Sequence, residues 1–149
     1  MRHGPLESAA MATGFEELKA RFDAQPLHRA LGLTLEEARE GFARIALETN
    51  ASTLSGVGGS VHGGVLAAMV DIAMLQALIA SLAPDDIPNG TVDLNITYLR
   101  QAKGERIVAE ATFLRKGRTI AVSEVEILDT EGRLCAKGRT IYALRQRGG

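Results

Sequence analysis

Residues 61–81 read VHGGVLAAMVDIAMLQALIAS. The stretch predicts a helix from about Gly63 to Ser81. Apolar residues cover almost its whole circumference, so the helix has no polar face and must be wrapped on all sides. The apolar run Val65–Ala80 is short for a membrane span and carries Asp71 and Gln76, which favours a buried helix over a transmembrane one. Pro84 and Pro88 close the segment.

Working outward, the chain downstream reads as strands. Thr91–Leu99 (TVDLNITYL) sets Val92, Leu94, Ile96 and Tyr98 against polar neighbours, which places Thr91 on the face of Asp93, Asn95 and Thr97. Arg106–Leu114 alternates at Ile107, Ala109, Ala111 and Phe113. Lys116–Gly117–Arg118 is a hairpin turn into Thr119–Leu128. Thr130–Glu131–Gly132 is the next, into Leu134–Leu144. Gly138 inside that last strand suggests a bend or bulge. Upstream, Phe15–Phe22 has helical spacing, a short helical piece follows Pro26, and Leu33–Ala38 and Phe42–Glu48 form a strand pair across a Glu40–Gly41 turn. The order is a strand pair, a long buried helix, then a run of antiparallel strands. A sheet wrapped around one apolar helix is an α+β layer arrangement.

The 149 residues suit one domain. We assign it to 14–149, with 1–13 as a disordered tail. That tail lacks a basic start followed by an apolar run, so it is no signal peptide, and the expected compartment is the cytoplasm. The net charge of −1 gives no field to draw nucleic acid or an anionic membrane. The absence of Trp and the 4% aromatic content argue against a base-stacking platform as well. The single Cys135 rules out an internal disulfide and reads as a small packed residue.

Two features of the helix bear on chemistry. His62–Gly63–Gly64 opens it with two glycines, leaving backbone N–H groups unscreened at the positive end of the macrodipole, where an oxyanion or polarised carbonyl is stabilised. The competing reading is a flexible, closely packed helix entry. Asp71 sits in AAMVDIAML with apolar neighbours on every side. A buried, unpaired carboxylate is costly, so the position needs a reason. A low-polarity setting strengthens a carboxylate as base or nucleophile. The alternative is an Asp bonded to a partner across an interface. Gly63 and Asp71 are eight residues, roughly 12 Å, apart along one helix. One chain cannot aim both at the same carbonyl. A two-fold dimer with antiparallel helices could, which predicts two equivalent shared sites.

Thr91, at its strand start, offers a hydroxyl to hold a water or orient a carboxylate; it is equally an ordinary strand former. His62 is a candidate base, although a histidine beside a helix start more often bonds to its own loop. His3 and His28 lack metal-ligand spacing, and no metal site is expected. Lys103, Arg106, Arg115, Lys116 and Arg118 cluster around turns. They could meet the phosphates of a nucleotide-bearing substrate, or form a solvated surface.

VHGGVLAAMVDIAM followed by TVDLNITYL resembles the PaaI-like hotdog thioesterases and the similar THEM2 group of acyl-CoA thioesterases. The resemblance spans roughly Leu33–Leu144. Its specific part is HGG with an acid nine positions after the histidine, then a strand opening Thr-Val-Asp. It implies a hotdog fold, a curved antiparallel sheet around one central helix, assembled as a dimer or dimer of dimers. It implies hydrolysis of an acyl-CoA or acyl-carrier thioester, coenzyme A being part of the substrate and no other cofactor required. Gly63 would polarise the thioester carbonyl, with Gly64 beside it. Asp71 of the facing chain would be nucleophile or base, and Thr91 would position water. One departure stands out. The family often carries Asn or Gln six positions before the histidine, where this chain has Gly56; Asn50 could substitute only if the loop folds back. A hotdog hydratase or dehydratase and a non-catalytic acyl-CoA-binding module are the competing readings.

Overall fold

Among the described residues, short alternating segments and one long apolar segment resolve into six strands and three α-helices. The computed structural model describes residues 14–148; the expected tail 1–13 lies outside the described residues. Helices α1 (Phe15–Asp23) and α2 (Pro26–Leu31) lead into strands β1 (Leu33–Arg39) and β2 (Phe42–Glu48). After a loop with a 3-10 turn at Val57–Gly59 comes helix α3 (Gly63–Ile79). Strands β3 (Asp86–Tyr98), β4 (Arg106–Lys116), β5 (Ile120–Leu128) and β6 (Leu134–Gln146) follow. All pairings are antiparallel, in the order β1-β2-β4-β5-β6-β3.

One sheet face packs on α3. Ala43, Ile45 and Leu47 of β2, Ile107, Ala109 and Ala111 of β4, and Ala121, Val125 and Ile127 of β5 are buried there with Met69, Val70, Ala73 and Met74. The period-2 alternation of each strand supplies this face. Helices α1 and α2 pack beside β1, whereas the outer edge of β3 stays open: Val92, Asp93, Asn95, Thr97 and Tyr98 are exposed.

Three expectations need correction. First, the sheet does not wrap α3 on every side. Gly63, Ala67, Asp71 and Leu75, four positions apart, form a half-buried line along the helix. Second, β3 begins at Asp86, five residues before the expected Thr91. Pro88 is accommodated because β3 is an edge strand, where a missing N–H leaves no ladder bond unmade. Third, the register slips between Thr91 and Asp93. Thr91 pairs with Tyr142 and Asp93 with Ile141, so Val92 is an extra, bulged residue. Thr91 therefore shares the inner face with Leu94, Ile96 and Tyr98 and not the face of Asp93.

Gly138 has its own explanation. No bulge occurs at it; it pairs in register with Ile96 and Val125. A Cβ there would lie 2.6 and 2.7 Å from the two methyl carbons of Val70. The glycine lets α3 approach the sheet.

Candidate active site

The first N–H groups of a helix such as α3 have no partner inside it to bond to. His62 is the N-cap, and its Nδ1 accepts from the Gly64 N–H at 2.9 Å. Its carbonyl accepts from Val65 and Leu66 at 2.9 and 3.2 Å. The Gly63 N–H has no acceptor among the described residues. The Gly63 carbonyl accepts from the Tyr98 hydroxyl at 2.7 Å, which fixes the peptide. A Cβ on Gly63 would stand 3.2 Å from the Tyr98 oxygen, so this glycine also fits under that ring.

Gly63 is part of the lining of a cleft of about 400 Å³. Its lining combines apolar Val57, Val61, Leu66 and Leu99 with polar Tyr98, Arg100 and Gln101. The helix dipole adds partial positive charge at its N-terminal end. A carbonyl oxygen placed there would be polarised.

Asp71 lies two helical turns away and does not line this cleft. The inward-turned Thr91 donates its hydroxyl to Asp71 Oδ1 at 2.8 Å. Oδ2 accepts no hydrogen bond among the described residues. Beside it, across the ladder from Thr91, is Tyr142. Burial, reinforced by the Asp71 charge, pushes the Tyr142 phenol above its ordinary value. The phenol therefore stays protonated. This half of the site is a carboxylate held in one orientation with one oxygen free, a geometry suited to accepting a proton from water or attacking a carbon.

The remaining candidates fare differently. Gly56 lines the cleft, but a Cβ there would meet Ser60 O and Oγ at 2.8 Å and Val61 O at 2.9 Å. The loop is folded too tightly for any side chain at that position. Asn50 does not fold back to replace one: its Oδ1 accepts from Ser52 and Thr53 N–H at 2.9 and 3.1 Å, holding its own turn. Arg115, Lys116 and Arg118 surround the β4–β5 turn and do not line the cleft. Another register shift, at Leu114, precedes Lys116, which pairs with buried Asp86 at 2.5 Å. Asp86 also accepts from Gln146 and Ala83, and these partners outweigh burial to hold its carboxyl below the usual range. Lys116 is thus committed to Asp86.

Sequence reasoning missed Tyr98, Arg100 and Gln101. Tyr98 reads as one more strand residue, and the other two follow the strand with no periodic signal. Among the described residues no group of three His, Cys, Asp or Glu side chains could hold a metal ion, and no helix is long and apolar enough to cross a membrane. Cys135 is fully buried, and burial raises its thiol pKa.

The profile of the thioesterase superfamily matches residues 58–136, the cleft loop through the first residues of β6. The chain is 35% identical over 127 residues to human acyl-coenzyme A thioesterase 13, covering 83% of this chain and 89% of that protein. It is 32% identical over 130 residues to the medium/long-chain acyl-CoA thioesterase YigI of Escherichia coli K12, covering 78% and 84%. The solved PaaI protein of the E. coli phenylacetic acid degradation operon superposes with a TM-score of 0.70 at 25% identity, covering 86% of this chain and 93% of that one. The extended family match, these relatives and the strand–helix order all agree: the chain belongs to the thioesterase superfamily, as a PaaI-like member with the hotdog fold.

Proposed function

We propose that this protein hydrolyses acyl-CoA thioesters in a homodimer, or dimer of dimers, whose active sites each combine two chains. The observation that carries this reading is the pair of half-sites on one helix: an unpartnered N–H at Gly63 and, two turns on, a carboxylate with one oxygen free at Asp71. The half-buried line Gly63–Ala67–Asp71–Leu75 and the open edge of β3 support a second copy on this side. An antiparallel neighbour would bring its Asp71 to this Gly63. The Gly63 N–H polarises the thioester carbonyl. Asp71 takes a proton from water, and the resulting hydroxide adds to the carbonyl carbon. The tetrahedral oxyanion is held at Gly63; its collapse breaks the C–S bond, and the thiolate takes the proton back. Direct attack by Asp71, through a mixed anhydride that water then opens, uses the same atoms. Thr91 orients the carboxylate in both routes. The chemistry calls for no metal or redox cofactor, coenzyme A enters as part of the substrate, and we place the enzyme in the cytoplasm as a single domain over 14–149. His62 is bonded to the helix start and lies outside the proton path.

Asp71→Ala tests the assignment in a thiol-release assay over a panel of acyl-CoAs. Turnover should fall about 10²-fold or more with the oligomer intact. Near wild-type hydrolysis by this variant would overturn the roles given. Binding of acyl-CoA by the wild type with no thiol release would support a binding module, and water addition with no thiol release a hydratase.

A further inference from the structure

Where β3 leaves the sheet, Leu99, Arg100, Gln101 and Ala102 form one wall of the Gly63 cleft. This wall is pinned on both sides. The Leu99 and Arg100 N–H groups donate to Cys135 O at 2.8 and 3.0 Å, and Ala102 O accepts from Val61 N at 2.8 Å. At the rim, the Gln101 carboxamide and the Lys103 ammonium converge over Gly58. A Cβ at Gly58 would lie 3.4 Å from Gln101 Oε1 and 3.5 Å from both Gln101 Nε2 and Lys103 Nζ. Those are ordinary contact distances; it is the positive φ of Gly58, +65, that disfavours a side chain there.

Arg39, Arg44, Arg106, Lys116 and Lys137 all pair with carboxylates. Arg100 and Lys103 are two of several cations without an ion-pair partner among the described residues, Arg115 and Arg118 being others; what sets them apart is their place beside the cleft, whose lining contains no carboxylate. A partly apolar trough with Gly63 in its lining and two free cations at its mouth fits a ligand of matching polarity. Its uncharged arm would lie in the trough and its phosphates outside.

We propose that Arg100 and Lys103 bind the phosphates of the nucleotide half of coenzyme A, with the Gln101 carboxamide bonded to the amide-bearing arm that crosses the cleft. This rests on the thioesterase reading and assigns the carrier group to the rim after β3. In the alternative basic cluster, around the β4–β5 turn, Lys116 is committed to Asp86, and Arg115 and Arg118 carry no ion pair among the described residues but do not line the cleft.

The test compares wild type with the double variant Arg100→Gln, Lys103→Gln on an acyl-CoA and on the matching acyl-pantetheine, which has no phosphate. KM for the acyl-CoA should rise about tenfold or more with kcat retained, the expected loss when charged hydrogen bonds are removed. Acyl-pantetheine turnover should stay within about twofold of wild type, because uniform binding to phosphate is absent from that substrate. Unchanged KM for acyl-CoA, or an equal loss on both substrates, would overturn the subsite. If the wild type releases no thiol from either substrate, the thioesterase reading fails, and calorimetric titration with coenzyme A itself decides the subsite. Weaker binding by the double variant upholds it; equal binding, or none by either protein, sinks it.

Discussion

A hydroxyl 2.8 Å from a carboxylate oxygen holds that carboxylate in one orientation, and in this chain the hydroxyl is Thr91 and the carboxylate Asp71. A hydrogen bond to a charged group is worth about 1.5–3 kcal/mol, which corresponds to tenfold or more in rate if it is lost in the transition state. Thr91→Val keeps the shape and removes the donor. It should lower kcat by about tenfold with little change in KM, and Thr91→Ser should keep most of the rate. Steady-state kinetics on one acyl-CoA would check this; a Val variant as fast as wild type would make the hydroxyl purely structural. At this scale the sequence is legible in part. The glycine pair and Asp71 stand out because both break local rules: glycine inside a helix start, acid inside an apolar run. The partners Tyr98 and Arg100 carry no such mark, because a tyrosine in a strand and an arginine after it are ordinary. Asn50 and Gly56 look suggestive in sequence, yet one is consumed by its own turn and the other has no room for a side chain.

At the scale of elements, the contact between α3 and β6 decides how close the carboxylate can come to the sheet. Gly138 admits Val70, the residue next to Asp71. Gly138→Ala would press a carbon to 2.6 Å from a Val70 methyl, and overpacking of this kind costs about 1–3 kcal/mol. Val70→Ala should relieve it. The double variant should be more stable than the sum of the single losses, with a coupling of about 0.5–3 kcal/mol. Urea unfolding midpoints of the three variants measure this, and strictly additive losses would mean the two residues do not press on each other. The strands were readable because each alternates with period 2, and the helix because nothing on it is polar enough to face water. What escaped reading was every departure from regular pairing. Pro84, Pro88 and Gly90 resemble a loop, but the edge position of β3 tolerates the first part of the strand there. The bulge at Val92 changes which side chains point inward, and no composition rule announces it or the register shift at Leu114.

Under the proposed function, the whole molecule is one partner of a pair. Gly63 and Asp71 are separated by eight residues of a single rigid helix, so catalysis by an isolated chain would need a different arrangement. Mixing an inactive Gly63→Val chain with an inactive Asp71→Ala chain should restore activity, since half of the shared sites in a mixed dimer receive both intact groups. The check is thiol release before and after subunit exchange, with oligomer size followed by light scattering. No recovery in demonstrably mixed dimers would count against shared sites. The long apolar helix and the antiparallel strands point to the hotdog fold of the single chain, and the family match and solved relatives agree with that fold. The helix also taught its limit: an all-apolar circumference suggested complete enclosure, whereas one line of it stays half open along the β3 side.

Counting back in twos from Tyr98 along its strand arrives at Val92, an aliphatic side chain with nothing to offer an acid. The chain inserts a half-step of backbone at that point, and a threonine arrives instead. The chemical identity of the group that greets Asp71 is therefore set by where the main chain loses step, and not by which amino acid an even rhythm would deliver.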